Sequence, residues 1–223
     1  MIVFDCDGVL VDSEVLSCGT DAEMMTQAGY PISTEALIAA YIGWPKPAIW
    51  ADIERRRGVP WPTGLLDKAN AALMQRIETE LQPVTGVADA LEQITGPKAV
   101  ASSSGVRKLF GSLDRCQLTP IFEGRIFSAE QVARGKPAPD IFLFCAQQSG
   151  VTAADCLVVE DSVAGVSAAC AAGMPVIGFT GASHHYPGHD QALFDAGAVA
   201  VVGDMRDLPG QIAATAGHLL APH

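Results

Sequence analysis

The sequence predicts an α/β fold, a doubly wound parallel sheet with an all-helical segment inserted after the first strand. Two observations lead to this prediction. Beyond residue 83, short apolar runs typical of strands alternate with segments of helical periodicity, which is the pattern of consecutive βαβ units. Between residues 14 and 82 the pattern indicates successive helices instead. We therefore expect an α/β core made of residues 1–13 and 83–223, with residues 14–82 as a helical cap.

The predicted cap helices follow one another with clear breaks between them. We expect them over residues 14–27, a short segment from residue 33, residues 48–57 and residues 64–81. Asp12 and Ser13 are candidate caps for the first helix, and Gly29 is its stop signal. Thr63 is the candidate cap of the fourth helix, in which apolar residues recur close to helical spacing. These signals together predict an insertion that contains helices and turns.

The predicted core begins with an apolar strand and returns to the sheet after the cap. We expect strands over residues 2–4, 98–102, 126–128, 156–160, 175–179 and 199–202. We expect helices over residues 88–94, 106–116, 139–149, 163–172 and 208–219. The run 156–160 is almost continuously apolar, as expected for a strand that is covered on both faces. In such sheets ligands bind at the carboxyl ends of the strands, so the cap would lie over the site as a lid.

Two carboxylates follow the first strand directly. Asp5 and Asp7 are two residues apart, so they would point the same way if the strand continued, and Gly8 allows a sharp bend just beyond them. Carboxylates held close together at a buried strand end repel each other and are costly to desolvate. A divalent cation would relieve both costs, and oxygen ligands favour magnesium.

Three further strand ends carry polar groups. Ser102 ends a strand just before a helix, where a hydroxyl and free backbone N–H groups can cradle an anion. Lys136 lies in a proline-rich turn before another helix, and its ammonium could neutralise charge on a transferring group. Glu160 and Asp161 close a buried strand. Taken singly, these residues are more typical of helix caps or solvated loops. Their order along the chain and their shared placement at strand ends favour a common site.

The same segments resemble the motifs of a known family. The sequence DCDGVLVD at residues 5–12 resembles the first motif of the haloacid dehalogenase (HAD) superfamily, in its phosphatase and β-phosphoglucomutase-like branch with a helical C1-type cap. Residues 99–105, 136–140 and 158–165 resemble the second, third and fourth motifs, in the family's order. The resemblance covers almost the whole chain and implies an HAD-type core with an inserted cap.

The resemblance also implies catalytic roles. Asp5 corresponds to the nucleophile, which attacks phosphorus to form an aspartyl-phosphate, and Asp7 corresponds to the general acid/base. Ser102 corresponds to the residue that hydrogen-bonds the phosphoryl group, and Lys136 to the lysine that neutralises charge. An acid at Asp7 argues for phosphoryl chemistry, because family members that dehalogenate lack it. The expected enzyme is an HAD-type phosphatase.

The implied cofactor is Mg²⁺. Asp5 would contribute a carboxylate oxygen, Asp7 its backbone carbonyl and Asp161 a further carboxylate. Glu160 would assist directly or through water. With this ion, we expect a magnesium-dependent phosphomonoester hydrolase that acts on a small phosphorylated metabolite, a sugar or sugar-acid phosphate, through an aspartyl-phosphate intermediate.

Two alternatives stay open at this point. The first is a β-phosphoglucomutase-like sugar phosphomutase, but such mutases carry a histidine twelve residues after the nucleophile, where this chain has Ser17. The second is a non-catalytic phosphate-binding module of HAD fold. The presence of both a nucleophile and an acid, Asp5 and Asp7, argues against it, because binding alone requires neither.

Substrate binding is expected at two places. Ser103 and Ser104 adjoin Ser102 and could contact the phosphoryl group. In the cap, Gly43 and Lys46 belong to the segment where related mutases carry a basic residue that grips a distal phosphate. A helix-start lysine that is simply exposed to solvent explains Lys46 equally well.

Three histidines follow a late strand without an evident role. His184, His185 and His189 have a spacing that could bind zinc, but no thiolate or acid/base partner pattern accompanies them. Pro187 and Gly188 indicate a flexible loop at this place. The sequence therefore assigns these histidines no function.

Composition limits the partners. The formal net charge of −11 makes nucleic acid and anionic membranes poor partners. The 6 cysteines are scattered and form no Cys-x-x-Cys, which favours a reducing compartment. No apolar run of about 18 residues and no signal-peptide pattern occurs. We expect a cytoplasmic protein, a monomer or weak homo-oligomer, whose partner is a small phosphorylated metabolite.

Overall fold

Six parallel strands form one sheet in a computed structural model of the chain, which describes residues 1–41, 44 and 46–219. The strands are β1 (Ile2–Phe4), β2 (Lys98–Ser102), β3 (Ile126–Ser128), β4 (Leu157–Glu160), β5 (Val176–Phe179) and β6 (Ala200–Val202). Their order across the sheet is β3-β2-β1-β4-β5-β6. The central strand β1 pairs with β2 on one side and β4 on the other, with Val3 opposite Ala99 and Val158. The predicted parallel sheet is confirmed.

Helices cover both faces of this sheet, as the doubly wound fold requires. They are α5 (Val87–Gln93), α6 (Val106–Arg115), α7 (Asp140–Gln148), α8 (Val163–Ala171), α9 (His189–Ala196) and α10 (Leu208–Leu219). One buried apolar cluster contains Phe4 and Val159, and another contains Val3 and Val158, because neighbouring residues of a strand point to opposite faces. The chain proceeds outward from β1 to β3 and returns to β4, so the strand order reverses between β1 and β4. Ligands of open α/β sheets bind beyond the strand ends at such a reversal.

Four helices lie between β1 and α5. They are α1 (Glu14–Gln27), α2 (Thr34–Tyr41), α3 (Lys46–Arg57) and α4 (Leu65–Glu80). Met25, Leu37 and Trp50 belong to a separate buried cluster within this segment. Leu73 and Ile77 of α4 instead belong to the cluster on one face of the sheet. The fourth helix therefore joins the helical segment to the sheet.

The chain enters and leaves the helical segment at neighbouring points. The backbone N–H of Asp12 donates to the carbonyl of Gln82 at 3.0 Å, and the N–H of Val84 donates to the carbonyl of Leu10 at 3.0 Å. Val11 and Pro83 form an antiparallel bridge between these hydrogen bonds. The helical segment is thus anchored at its two ends, because the stretch that leaves β1 pairs with the stretch that returns from α4.

Three local details differ from the predictions. Ser13 does hold the N-cap position of α1, but its side chain makes no capping hydrogen bond and its hydroxyl donates to the carboxylate of Asp7. Thr63 is not the cap of α4; Gly64 holds that position with φ +74°, a conformation that glycine adopts without strain. Helix α9 was not predicted, because the polar segment before it indicates a loop.

Among the described residues, no helix is both long enough and apolar enough to cross a bilayer.

Candidate active site

The turn after β1 places Asp5 and Asp7 at the reversal point of the sheet. The N–H of Asp5 donates to the carbonyl of Val159 on β4 at 2.9 Å, which keeps Asp5 in strand geometry. The turn then folds back, and Gly8 adopts φ +78°. A Cβ built on Gly8 would lie 2.0 Å from Oδ2 of Asp161, so a side chain here would displace a neighbouring acid. Glycine is therefore required both by conformation and by space.

Lys136 connects two carboxylates of this site. Its Nζ donates to Oδ1 of Asp5 at 2.7 Å, to Oε1 of Glu160 at 2.6 Å and to the carbonyl of Ala101 at 2.9 Å. The lysine side chain is 3% exposed. Burial alone would lower the pKa of Lys136, but the charges of Asp5 and Glu160 outweigh burial and raise it above its ordinary value. The ammonium therefore stays charged between the two acids.

Three buried carboxylates lie together next to this ammonium. Ligand oxygens of Asp5, Glu160 and Asp161 all lie within 4.8 Å of one another. Burial raises the pKa of Asp5 well above its ordinary value; Lys136 opposes this shift, while Glu160 and Asp161 add to it. Burial likewise raises the pKa of Asp161 to about 6, against a hydrogen bond from His184. Excess negative charge in a buried, oxygen-only donor set fits a hard divalent cation.

Glu160 is fixed by the start of α8. Its Oε2 accepts from the backbone N–H of Ser162 at 2.8 Å and from the Ser162 hydroxyl at 2.9 Å. The same hydroxyl accepts from the N–H of Gly165 at 3.0 Å and so caps α8. A Cβ on Gly165 would lie 1.7 Å from Oε1 of Glu160. The fully buried acid is thus held by contacts on both of its oxygens.

Asp7 lies in the opposite electrostatic environment. Its carboxylate accepts from Lys108 Nζ at 2.8 Å, from the Ser104 hydroxyl at 2.5 Å and from the Ser13 hydroxyl. Burial alone would raise the pKa of Asp7, but Lys108 and the two hydroxyls together lower it below its ordinary value. Asp7 is therefore an ionised, hydrogen-bonded carboxylate in the free protein.

The serines after β2 are placed differently from one another. Ser102 is buried, and its Oγ accepts from the N–H of Ser104 at 3.0 Å. The carbonyl of Ser104 accepts from the Ser128 hydroxyl at 2.7 Å, while its own hydroxyl donates to Asp7. Ser103 is exposed. The structure thus brings Ser102 and Ser104 to the strand end that adjoins β1.

The cap residues singled out by sequence are less closely tied to these acids. Lys46 Nζ lies 2.8 Å from Oδ1 of Asp21, with exposed side-chain fractions of 18% and 4%. Both residues belong to the helical segment, on α3 and α1. Gly43 lies outside the described residues. The contact made by Lys46 is thus an ion pair within the helical segment.

Sequence reasoning missed Lys108 and Ser13, which both contact Asp7. Lys108 lies in the first turn of α6, where a cation opposes the helix dipole unless it has an anionic partner. That unfavourable placement is the signal that could have identified it. The sequence predicts Ser13 only as a helix cap, because a hydroxyl next to a helix start gives no signal that its partner is Asp7.

The histidines after β5 were also misjudged. His184 is 4% exposed, and its Nε2 lies 3.0 Å from Oδ2 of Asp161. His189 is 3% exposed, and its Nε2 lies 2.6 Å from the backbone oxygen of Asp161. The loop prediction is wrong for His189, which begins α9. The sequence could not show that the loop after β5 folds back onto the end of β4.

Comparisons with known proteins agree with this geometry. The family model described as haloacid dehalogenase-like hydrolase matches residues 2–179. A 6-phosphogluconate phosphatase of Escherichia coli K12 is 29% identical over 83% of this chain and 85% of its own length. A phosphorylated carbohydrates phosphatase of Thermotoga maritima is 31% identical over 90% of this chain and 93% of its own. A crystal structure of a haloacid dehalogenase-like protein of unknown function from Agrobacterium tumefaciens is 45% identical, with a TM-score of 0.89, over 96% of this chain and 98% of that one.

The family match spans residues 2–179 and therefore includes Asp5, Asp7, Lys136 and Asp161, as well as the strands β1, β2 and β4. The resemblance deduced from the four motifs is confirmed. The chain belongs to the haloacid dehalogenase-like hydrolase family and is an enzyme of its phosphatase type.

Proposed function

We propose that this protein is a Mg²⁺-dependent phosphatase that hydrolyses a small sugar or sugar-acid phosphate through an aspartyl-phosphate on Asp5. The observation that carries the proposal is the contact of Lys136 Nζ with both Asp5 and Glu160, next to Asp161, at the strand-order reversal. A nucleophilic carboxylate, a buried cation and a further acid are the groups that phosphoryl transfer requires at one point. The names of the two curated relatives support the substrate class.

In the first step, a carboxylate oxygen of Asp5 attacks phosphorus while the bond from phosphorus to the ester oxygen breaks. Asp7 gives a proton to the leaving oxygen. Asp7 is ionised in the free protein, but an incoming dianionic phosphoryl group places negative charge beside it and raises its pKa. Substrate binding therefore loads Asp7 with the proton that the leaving group needs.

In the second step, water attacks phosphorus and the bond from phosphorus to Asp5 breaks. Asp7, ionised after the first step, accepts the proton of the attacking water. Phosphate leaves and Asp5 is restored as a carboxylate. The same residue thus serves as acid and then as base. When phosphate leaves, Asp7 returns to solvent the proton that it took up on substrate binding, so the protein gains and loses no proton over the cycle.

The phosphoryl group would be held from the β2 side and from Lys136. Ser102 lies at the end of β2, and the backbone N–H groups that precede α6 include those of Ser103 and Ser104. Backbone N–H groups just before a helix can bind an anion. The N–H of Ser104 donates to Ser102 Oγ at 3.0 Å, so a phosphoryl group would replace this hydrogen bond. Lys136 adds positive charge next to Asp5, and Lys108 adds it next to Asp7. We assign Ser102, Ser103 and Ser104 to phosphoryl binding on this basis.

Mg²⁺ would be held by carboxylate oxygens of Asp5, Glu160 and Asp161 and by the backbone carbonyl of Asp7. The oxygen-only donor set and its excess negative charge support this ion. When bound, the ion supplies charge neutralisation for the phosphoryl oxygens. It would also lower the pKa of Asp5, which favours the ionised form that attacks phosphorus.

The helical segment would act as a cap that selects the substrate. Its separate apolar cluster and its adjacent entry and exit chains support the division into a core of residues 1–13 and 83–223 and a cap of residues 14–82. Lys46 and Gly43 are the proposed contacts to the distal part of the substrate. For Lys46 this requires that a substrate group replace Asp21 as its partner.

Phosphate release from a panel of phosphorylated metabolites tests the proposal. The panel contains 6-phosphogluconate, glucose 6-phosphate, phosphoglycolate and β-glucose 1-phosphate, each with Mg²⁺ and with a chelator. We expect release from sugar or sugar-acid phosphates that stops with the chelator and returns with added Mg²⁺. Conversion of β-glucose 1-phosphate to glucose 6-phosphate without phosphate release would show a mutase instead. If no compound in the panel releases phosphate, the phosphatase proposal is contradicted.

A further inference from the structure

Two buried histidines hold Asp161 at two different atoms. His184 Nε2 lies 3.0 Å from the side-chain oxygen Oδ2, and His189 Nε2 lies 2.6 Å from the backbone oxygen. Both rings are almost completely buried, with exposed fractions of 4% and 3%. The side chain and the backbone of Asp161 are therefore both fixed from the segment after β5, which the catalytic scheme does not use.

The chemistry of these contacts assigns their hydrogen atoms. A backbone carbonyl can only accept, so Nε2 of His189 carries the hydrogen and donates it to Asp161. An ionised carboxylate also only accepts, so Nε2 of His184 carries a hydrogen when Asp161 is charged. A ring nitrogen that carries a hydrogen has no free lone pair for a metal ion. His184 can therefore act on a cation through Asp161 but not as a ligand from that nitrogen.

The surroundings leave this arrangement little freedom. A Cβ on Gly8 would lie 2.0 Å from Oδ2 of Asp161 and 2.7 Å from Cε1 of His184, so the turn after β1 packs directly against the pair. On the other side, the Tyr186 ring stacks on the His189 ring at 4.5 Å between centroids and 16° between planes. The contact of His184 with Oδ2 restricts the orientation of the Asp161 carboxyl group, and with it the direction in which that group can present a lone pair to a cation.

We propose that His184 and His189 are positioning residues of the metal site, which orient Asp161 as a ligand and so set the affinity for the divalent cation. The proposal rests on the proposed function, in which Asp161 binds that cation. Outer hydrogen bonds to metal-binding side chains reduce the freedom lost on binding and fix the ligand geometry. Removal of such a partner weakens metal binding by about 10- to 100-fold.

The test measures the dissociation constant of Mn²⁺, from the electron paramagnetic resonance signal of the free ion, and that of Mg²⁺ by calorimetry. His184→Leu removes the hydrogen-bond donor, while His184→Gln keeps an N–H group at similar reach. His185→Leu is the control for a neighbouring ring: His185 is exposed, and among the described residues its ring stacks on His189 at 5.7 Å between centroids but does not contact Asp161. We expect about 10- to 100-fold weaker binding for His184→Leu, recovery of most of that loss in His184→Gln, and unchanged binding for His185→Leu.

Several results would contradict the positioning role of His184. Equal metal affinity of folded His184→Leu and the unmodified protein would overturn the positioning role. A switch of preference from Zn²⁺ to Mg²⁺ in His184→Leu would also overturn it, since it would make His184 a direct ligand. If His184→Leu fails to fold, His184→Asn takes its place, because the Asn amide is too short to reach Asp161. Equal metal affinities of His184→Asn and His184→Gln would then overturn the positioning role. An unmodified protein that binds neither Mg²⁺ nor Mn²⁺ would contradict the metal site itself, and with it this inference.

Discussion

The two sides of the site differ in the sign of their charge. On the β4 side, Asp5 shares its space with Glu160 and Asp161, and burial raises its pKa well above the ordinary value. On the β2 side, Asp7 meets Lys108 and two hydroxyls, which lower its pKa despite burial. The two aspartates are separated by a single residue, so the contrast comes from the strands on either side of β1 and not from local sequence.

This contrast supports the proposed roles of the two aspartates. A pair of titratable groups whose environments move their pKa values apart is typical of a division between two catalytic tasks. The acid-rich side is suited to a divalent cation, which would make Asp5 an ionised nucleophile. The donor-rich side favours the charged form of Asp7, which under the proposed mechanism would take up a proton when a phosphoryl anion binds. Replacement of either aspartate, or of the lysine beside Asp7, tests whether the two sides differ in this way.

Replacement of Asp5 gives the largest expected effect. Asp5→Asn removes the attacking oxygen, so we expect kcat to fall by at least about 10⁴-fold, as for loss of other covalent nucleophiles. Lys136 keeps Glu160 and the carbonyl of Ala101 as acceptors, so the fold should be retained. The measurement is phosphate release from p-nitrophenyl phosphate, with circular dichroism and thermal unfolding as the check on folding. Substantial residual turnover in the folded variant would contradict the nucleophile assignment.

Replacement of Asp7 should separate the two steps. Asp7→Asn removes the acid and the base, and we expect a loss of about 10²- to 10⁴-fold in kcat on alkyl phosphates. A p-nitrophenolate leaving group needs no protonation, so with p-nitrophenyl phosphate the first step should proceed and the aspartyl-phosphate should accumulate. Intact-protein mass spectrometry after rapid quenching detects the added phosphoryl group. Equal losses on both leaving groups, without accumulation, would show that Asp7 is not the proton donor.

The sequence predicted the acid-rich side better than the donor-rich side. Asp5, Glu160 and Asp161 end apolar runs that are recognisable as buried strands, and parallel strands that alternate with helices bring their carboxyl ends to one edge. Their convergence therefore follows from periodicity and from the family motifs together. The sheet itself was predictable for the same reason, since each strand is an apolar run bounded by turn residues.

Lys108 and His184 were not predictable in this way. Lys108 reaches Asp7 from the first turn of a helix, and which face of that helix meets the site depends on how it packs against the sheet. His184 reaches Asp161 because the segment after β5 folds back over β4, a path that no local pattern encodes. Both contacts depend on tertiary packing between elements more than 20 residues apart in sequence, as the numbering shows.

Replacement of Lys108 tests whether the donor-rich side contributes to catalysis through its cation. Lys108→Met removes the cation at 2.8 Å from Asp7, and we expect kcat to fall by about 10- to 100-fold, because a hydrogen bond to a charged group contributes about 1.5–3 kcal/mol. The matched control is Arg107→Met, since Arg107 is the exposed neighbouring cation on the same helix. The measurement is kcat of both variants, from steady-state kinetics on p-nitrophenyl phosphate and one sugar phosphate. If the two variants lower kcat equally, Lys108 acts only through the overall positive charge near the site and not through its contact with Asp7.

The pair Lys46–Asp21 extends the comparison to the helical segment, with the smallest expected effect. Lys46 Nζ lies 2.8 Å from Asp21, so an anionic group of the substrate has to compete with that carboxylate. Asp21→Asn removes the competitor and should favour a substrate with a distal carboxylate over a neutral one of equal length. Lys46→Met should do the reverse.

The ratio of kcat/KM for 6-phosphogluconate to that for glucose 6-phosphate measures this preference. We expect opposite changes of about two- to fivefold in the two variants, since an ion pair with partial access to solvent contributes up to about 1 kcal/mol. Activity on p-nitrophenyl phosphate, which has no distal charged group, is the control and should change less than the ratio. If both variants lower activity on every substrate equally, and lower the unfolding temperature as well, then the pair stabilises the helical segment and the distal part of the substrate is recognised by other residues.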